Sequence, residues 1–194
     1  SRFELGIDAN MRMGRFLRRL EQLEQDLRSR EPHPLVGPPS LHAATLSGGT
    51  ALSMYAAHCS LGVERRTVPG ETEGMVMAEL QQIIDRLAAE DETFEATMEL
   101  ILARDPFEVA PDEDIVLAVS DAGEEVLGQA PAQVGDTPWM DSALLAAAGV
   151  ETVVMGPHGA GAHAAEEWVS LQSLDELAQI LASAAMRYCG VAGS

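Results

Sequence analysis

The chain has 194 residues, 46% of them hydrophobic and only 4% aromatic, so Ala, Leu, Val and Met must fill its core. Its formal net charge of −19 argues against a nucleic-acid partner, because phosphate binding takes clustered Lys and Arg; the acidity serves solubility instead. No apolar run approaches the roughly 20 residues of a membrane span and no signal peptide is read. Cys59 and Cys189 lie far apart and outside any CxxC spacing, which predicts two buried free thiols in a reducing, cytoplasmic compartment.

The length suggests one large or two small domains. The opening SRFELGIDAN has no initiator Met and shows no cap or turn; it reads as the interior of a longer protein. Between Ile7 and Leu27, the residues Met13, Phe16, Leu20, Leu23 and Leu27 recur at three- and four-residue spacing and predict a helix with one apolar face. Charged residues such as Arg15, Arg18, Arg19, Glu21 and Glu24 cover the rest. The prolines of REPHPLVGPPS end it.

Leu41 to Gly48 is a short strand candidate. From Cys59 to Val68, Cys59, Leu61 and Val63 alternate with Ser60, Gly62 and Glu64, which predicts a strand with one buried face, ended by Pro69-Gly70. Thr72 to Ala89 predicts a second amphipathic helix with Met75, Leu80, Ile83, Ile84 and Leu87 inward, and Phe94 to Leu102 a third strand. Helix, strand, strand, helix, strand is a split β-α-β sandwich without its first strand, which is expected to lie before Ser1.

Ala103 to Asp114, with two prolines and five acids, reads as an interdomain crossing. Beyond it, Ile115–Leu127, Asp141–Ala148 and Leu174–Tyr188 predict helices, the last with Leu177, Ile180, Leu181 and Ala184 inward. Ala132–Val134 and the apolar run Thr152–Met155 predict short strands, the latter buried and parallel. Strands alternating with helices indicate an α/β layer, whose ligands sit beyond the carboxyl ends of strands. GPHGAGAHAAEEWV, Gly156 to Val169, occupies that place.

In that loop His163 is a metal-ligand candidate, since Gly161, Ala162 and Ala164 leave room beside its imidazole; the alternative is a solvated loop histidine, and His158 reads as a loop residue. Glu166 and Glu167 are either carboxylates that orient a ligating imidazole or acids at a helix start. Arg65 and Arg66 are adjacent on a strand and must point to opposite faces. One can pair with acids while the other reaches a ligand carboxylate through its planar fork, or both are surface residues. Gly48-Gly49 permits a close backbone approach or is simply a turn.

SGGTALSMYAAHCSLGVERRTVPGE, GDTPWMDSALLAAAG and VVMGPHGAGAHAAEEWV together resemble, in order and spacing across nearly the whole chain, the zinc amidohydrolases and peptidases that include acetylornithine deacetylase, succinyl-diaminopimelate desuccinylase, aminoacylase and glutamate carboxypeptidase. The resemblance implies an α/β fold: a ferredoxin-like α+β lid lacking its first strand over residues 1–105, which mediates dimerisation, then the C-terminal segment of an α/β zinc-hydrolase domain over 106–194. It implies hydrolysis of the amide bond of an N-acyl amino acid or dipeptide-like substrate, with acetylornithine preferred. Two zinc (or cobalt) ions would serve it, and the remaining ligands and the general base would lie upstream, so no catalytic residue is placed here. By the same resemblance His163 is a metal ligand, Arg66 rather than Arg65 grips the substrate carboxylate, and Gly159 and Gly161 let substrate backbone approach. Ser53 stands where the family commonly has a substrate-binding Asn, Ala56 where it commonly has Pro, and Asp141 is a structural hydrogen-bond acceptor. The implied partners are the small substrate and a second copy held through the lid; the alternative is a non-catalytic dimerisation or ligand-binding module derived from the same family.

Overall fold

Asp8 starts the first long helix. In the computed structural model, which describes residues 3–190, Asp8 has extended backbone and its carboxylate accepts the N–H of Asn10 at 3.0 Å, so the opening stretch carries the cap that its composition does not advertise. Helix α1 follows over Ala9–Ser29. Its apolar face lies where the spacing puts it: Leu20 and Leu27 are buried, with Phe16, Leu17 and Leu23 packed around them.

The strands β1 (Ser40–Gly48) and β2 (Cys59–Arg66) pair antiparallel, Ser40 opposite Arg66 and Gly48 opposite Cys59, with a bulge between Ala43 and Thr45. The bulge puts an extra residue on β1. Leu41, Leu61 and Val63 turn towards α1 and complete its core; the opposite face stays open. Helix α2 (Glu73–Glu90) is capped by Thr72, whose hydroxyl accepts the N–H of Met75 at 3.3 Å. Ile84 and Leu87 are buried with Phe94, and Ile83 and Met98 pack against them. Met75, expected inward, is exposed; the core packing of α2 begins a turn and a half later, at Leu80.

Phe94–Leu102 does not form the third strand. Phe94 is buried and Met98 packs, but Leu100, Ile101 and Leu102 are exposed, and no ladder partner for the segment exists among the described residues. Alternation reports a face, whereas a strand also needs a neighbour for its N–H and C=O groups. The observed order is therefore helix, strand, strand, helix.

The chain divides into two compact units, Ser1–Pro106 and Phe107–Ser194. In the second, α3 (Asp114–Leu127) and α5 (Leu171–Cys189) bury Val119, Ala122, Ile180 and Ala184 between them. Leu181, expected inward on α5, is exposed. The short helix α4 (Ser142–Ala147) follows Asp141, whose backbone carbonyl accepts from Leu144 and Leu145 while its side chain makes no capping bond. Ala132–Val134 and Thr152–Met155 are not strands. In the latter, Val153 and Met155 pack onto the α3–α5 core while Val154 faces out, again an alternating face without a ladder. Among the described residues, the one sheet in this unit is a two-residue hairpin, β3 (Gly159–Ala160) with β4 (Trp168–Val169). The thiols are both free, but Cys59 is only half-buried and Cys189, in the last turn of α5, is exposed, against the expectation of two buried ones. No helix among the described residues is long and apolar enough to cross a membrane.

Candidate functional site

The two arginines at the end of β2 have opposite environments. Arg65 shares the helix-covered face with Leu61 and Val63, and its side chain is 5% exposed. Its guanidinium grips Glu71 in a forked pair, Nη2 to Oε1 at 2.5 Å and Nη1 to Oε2 at 3.1 Å, and Nη1 also donates to the carbonyl of Arg66 at 2.7 Å. Glu79 of α2 stands 3.5 Å from Nη2, and Arg30, just past α1, pairs with both Glu71 and Glu79. Glu71 accepts as well from the N–H of Val68, so the Pro69-Gly70-Glu71 turn folds its carboxylate back onto the strand it has just left. This cluster ties β2, the turn, α1 and α2 together and sets its buried charges against one another, while Arg65 Nε and Glu79 Oε2 are left without a hydrogen bond.

Arg66 points the other way. Its side chain is 54% exposed and, among the described residues, pairs with Glu64, Nε to Oε1 at 2.8 Å. Glu64 lies two residues earlier on the same face and directly opposite His42 of β1, whose Nε2 is 3.4 Å from the other carboxylate oxygen.

At the far end of the β1–β2 hairpin the loop 49–58 holds Ser53, which is exposed, and Ala56, which is buried and whose carbonyl accepts from the N–H of Ala9. The length of β2 separates this end from Arg66 by about 23 Å at ~3.3 Å per residue; within the unit Ser53 and Arg66 are not brought together. Gly48 and Gly49 make room for Asn10 of α1. A Cβ at Gly48 would stand 2.0 Å from Asn10 Oδ1, and Gly49 has φ +81°. Asn10 left no signal in the sequence. Glu71 did, as the acid after a Pro-Gly turn, while the His42–Glu64 pairing required the register of the sheet.

In the second unit the hairpin uses both expected glycines for its own closure. A Cβ on Gly159 would meet the carbonyl oxygen of Trp168 at 2.4 Å, and one on Gly161, at φ +82°, the carbonyl oxygen of Glu166 at 2.0 Å. His158 is a framework residue: its N–H donates to Ser173 Oγ, its carbonyl accepts from Ser170 N–H, and its ring meets Trp168 edge-on with centroids 5.5 Å apart. His163 sits in the intervening turn, exposed, closed by the 2.8 Å bond from Ala164 N–H to the Gly161 carbonyl. Its φ of +64° makes it the one non-glycine residue in the left-handed region among those described, a conformation that histidine tolerates better than most residues but that still carries strain. Glu166 and Glu167 precede β4, and α5 begins only at Leu171, capped by Ser170; the helix-start reading of the two acids is corrected.

Among the described residues no three His, Cys, Asp or Glu side chains converge as a metal site, whereas a catalytic zinc takes about three protein ligands. These residues do not by themselves fit a metal. The groove of about 220 Å³ lined by Phe107, Ala110, Ala146, Val150 and their neighbours contains none of the expected site residues.

Residues 1–92 match the M20 family's peptidase dimerisation domain. Acetylornithine deacetylase of Myxococcus xanthus is 28% identical over 191 residues, 95% of this chain and 48% of that protein. These two likenesses support the M20 peptidase and amidohydrolase family. The N-formyl-4-amino-5-aminomethyl-2-methylpyrimidine deformylase of Bacillus subtilis (strain 168) is 25% identical over 202 residues, covering 95% of this chain and 47% of that protein. The crystal structure of aminopeptidase PepT from Bacillus cereus superposes with a TM-score of 0.68 at 16% identity, over 96% of this chain and 47% of that one. An M20 family metallo-carboxypeptidase from Sulfolobus solfataricus superposes with a TM-score of 0.57 at 14% identity, over 94% and 46%; at such identities the likeness is one of fold. The chain spans about half the length of the curated relatives it matches.

Proposed function

We propose that this chain is part of a metal-dependent hydrolase that cleaves the amide bond of N-acyl amino acids, with an acetylornithine-like substrate preferred. The observation that supports it most is the division of labour between Arg65 and Arg66. One arginine is consumed by Glu71 and Glu79 inside the unit, and its neighbour is held at the surface with a single ionic partner among the described residues. An exposed guanidinium on a rigid strand suits a substrate carboxylate, and fixing that carboxylate sets the register of the distant amide. On this reading residues 1–105 are the lid, pairing with a second copy, and 106–194 are the C-terminal segment of the catalytic domain.

His163 is proposed as one ligand of the metal pair, zinc or cobalt. Its strained backbone supports that choice over His158, which the hairpin already employs. The other ligands and the general base come from parts of the protein outside these residues, and the 194-residue chain by itself is inactive. Ser53, Gly159 and Gly161 are the further substrate-side residues of this reading, the glycines acting through the hairpin shape they permit.

The full-length protein, loaded with zinc or cobalt, is expected to release acetate from N-acetylornithine, and Arg66→Ala is expected to raise KM sharply. The chain of 194 residues alone is expected to release none. Full-length protein without amidase activity on any N-acyl amino acid would overturn the reading. That outcome favours the second reading, a non-catalytic dimerisation or ligand-binding module.

A further inference from the structure

The open face of the β1–β2 sheet carries a line of three groups: His42, Glu64 and Arg66. Each carboxylate oxygen of Glu64 faces one of the others, Oε1 the Arg66 Nε at 2.8 Å and Oε2 the His42 Nε2 at 3.4 Å. All three side chains are about half exposed, and exposed ion pairs contribute little to stability. The fold therefore has no need of the line, whereas a guanidinium that must meet a ligand in one orientation does. A guanidinium offers a carboxylate two forks, the Nη pair or Nε with one Nη. With Glu64 standing at Nε, the fork left to a ligand is the Nη pair, so a carboxylate is met end-on. Behind it, the carbonyl of Arg66 is fixed by the buried Arg65, and the backbone from which the side chain springs is held.

We propose that Glu64 is a positioning residue that aims Arg66 at a carboxylate end-on, and that His42 steadies Glu64 from the facing strand. The proposal rests on Arg66 being the carboxylate grip. It distinguishes aim from charge: if Glu64 acted only as a nearby negative charge, its removal would strengthen carboxylate binding, whereas if it aims the guanidinium, its removal weakens it.

The experiment uses the complete metal-loaded protein and two substrates, an N-acetyl amino acid and the same compound with its carboxylate converted to an amide. The ratio of their KM values reads the carboxylate grip alone. Arg66→Ala is expected to abolish the preference for the carboxylate. Glu64→Ala is expected to shrink it by about tenfold, the scale of removing one charge-assisted hydrogen bond, with kcat on the amide substrate little changed. Glu64→Gln, which keeps an oxygen for Nε, is expected to retain most of the preference, and His42→Ala to weaken it by about threefold. Thermal melting of all these variants is expected to match the parent. Should Arg66→Ala leave the preference intact, the assignment of the grip itself falls. Should Arg66→Ala abolish it while Glu64→Ala leaves it unchanged or increases it, the grip stands and the positioning role is overturned; a silent His42→Ala removes His42 alone from the device.

Discussion

The two faces of the β1–β2 hairpin use the same kinds of residue for different ends. On the helix-covered side, Arg65 is enclosed by Glu71, Glu79 and Arg30 and packed beside Leu61 and Val63. On the open side, Arg66 faces solvent with Glu64 and His42. The strand's period of two sends neighbours in sequence to opposite sides. What each arginine then does follows from solvent access: a charge out of water must be fully paired, while one in water is available to a ligand. The buried face is a stability element, and on the proposed reading the open face is a recognition element.

Substitutions on each side can break or sharpen that contrast. Leu27→Ala removes the fully buried side chain at the centre of the α1–sheet core and is expected to cost about 4 kcal/mol in urea unfolding. Arg65→Ala leaves Arg30 as the one cation of the cluster facing Glu71 and Glu79 and is expected to cost about 3 kcal/mol; a loss as small as that of a surface residue would show that the cluster is not a structural clamp. Asp91, after the end of α2, gives a smaller, pH-dependent effect. Bonds from the hydroxyl and N–H of Thr93, aided by Arg15 and Arg12, lower its pKa from 3.8 to about 2. A depressed carboxylate stabilises the fold above the unfolded value, and that contribution is lost as pH falls through the folded one. Asp91→Asn is therefore expected to melt earlier than the parent at neutral pH, with the two melting curves converging between about pH 4 and 2. Smallest of all, Arg66→Ala is expected to change unfolding stability by less than about 0.5 kcal/mol. A large destabilisation there would erase the distinction between the faces.

How far the sequence could be read varied by element. The helices α1, α2, α3 and α5 followed from periodicity, because a helix closes its own hydrogen bonds and needs only one apolar stripe to anchor it. The strands β1 and β2 were legible as consecutive short runs, the second with clear alternation, before the Pro69-Gly70 turn. Phe94–Leu102, Ala132–Val134 and Thr152–Met155 were misread as strands for a shared reason: nothing in a short alternating or apolar run says whether another strand lies beside it. For the candidate site, alternation separated Arg65 from Arg66 without saying which was buried; Glu71, Glu79 and Arg30 decided that.

By itself, the sequence determined the helices, the hairpin and the opposition of the two arginines, all set by interactions within a few residues or by a fixed backbone period. Only the tertiary structure decided that Glu71 closes on Arg65, that Glu64 faces both His42 and Arg66, that Gly159 and Gly161 serve their own hairpin, and that His158 belongs to the framework while His163 stands in a strained turn. Those outcomes depend on interactions between residues distant along the chain, whose pairing is fixed by packing and register.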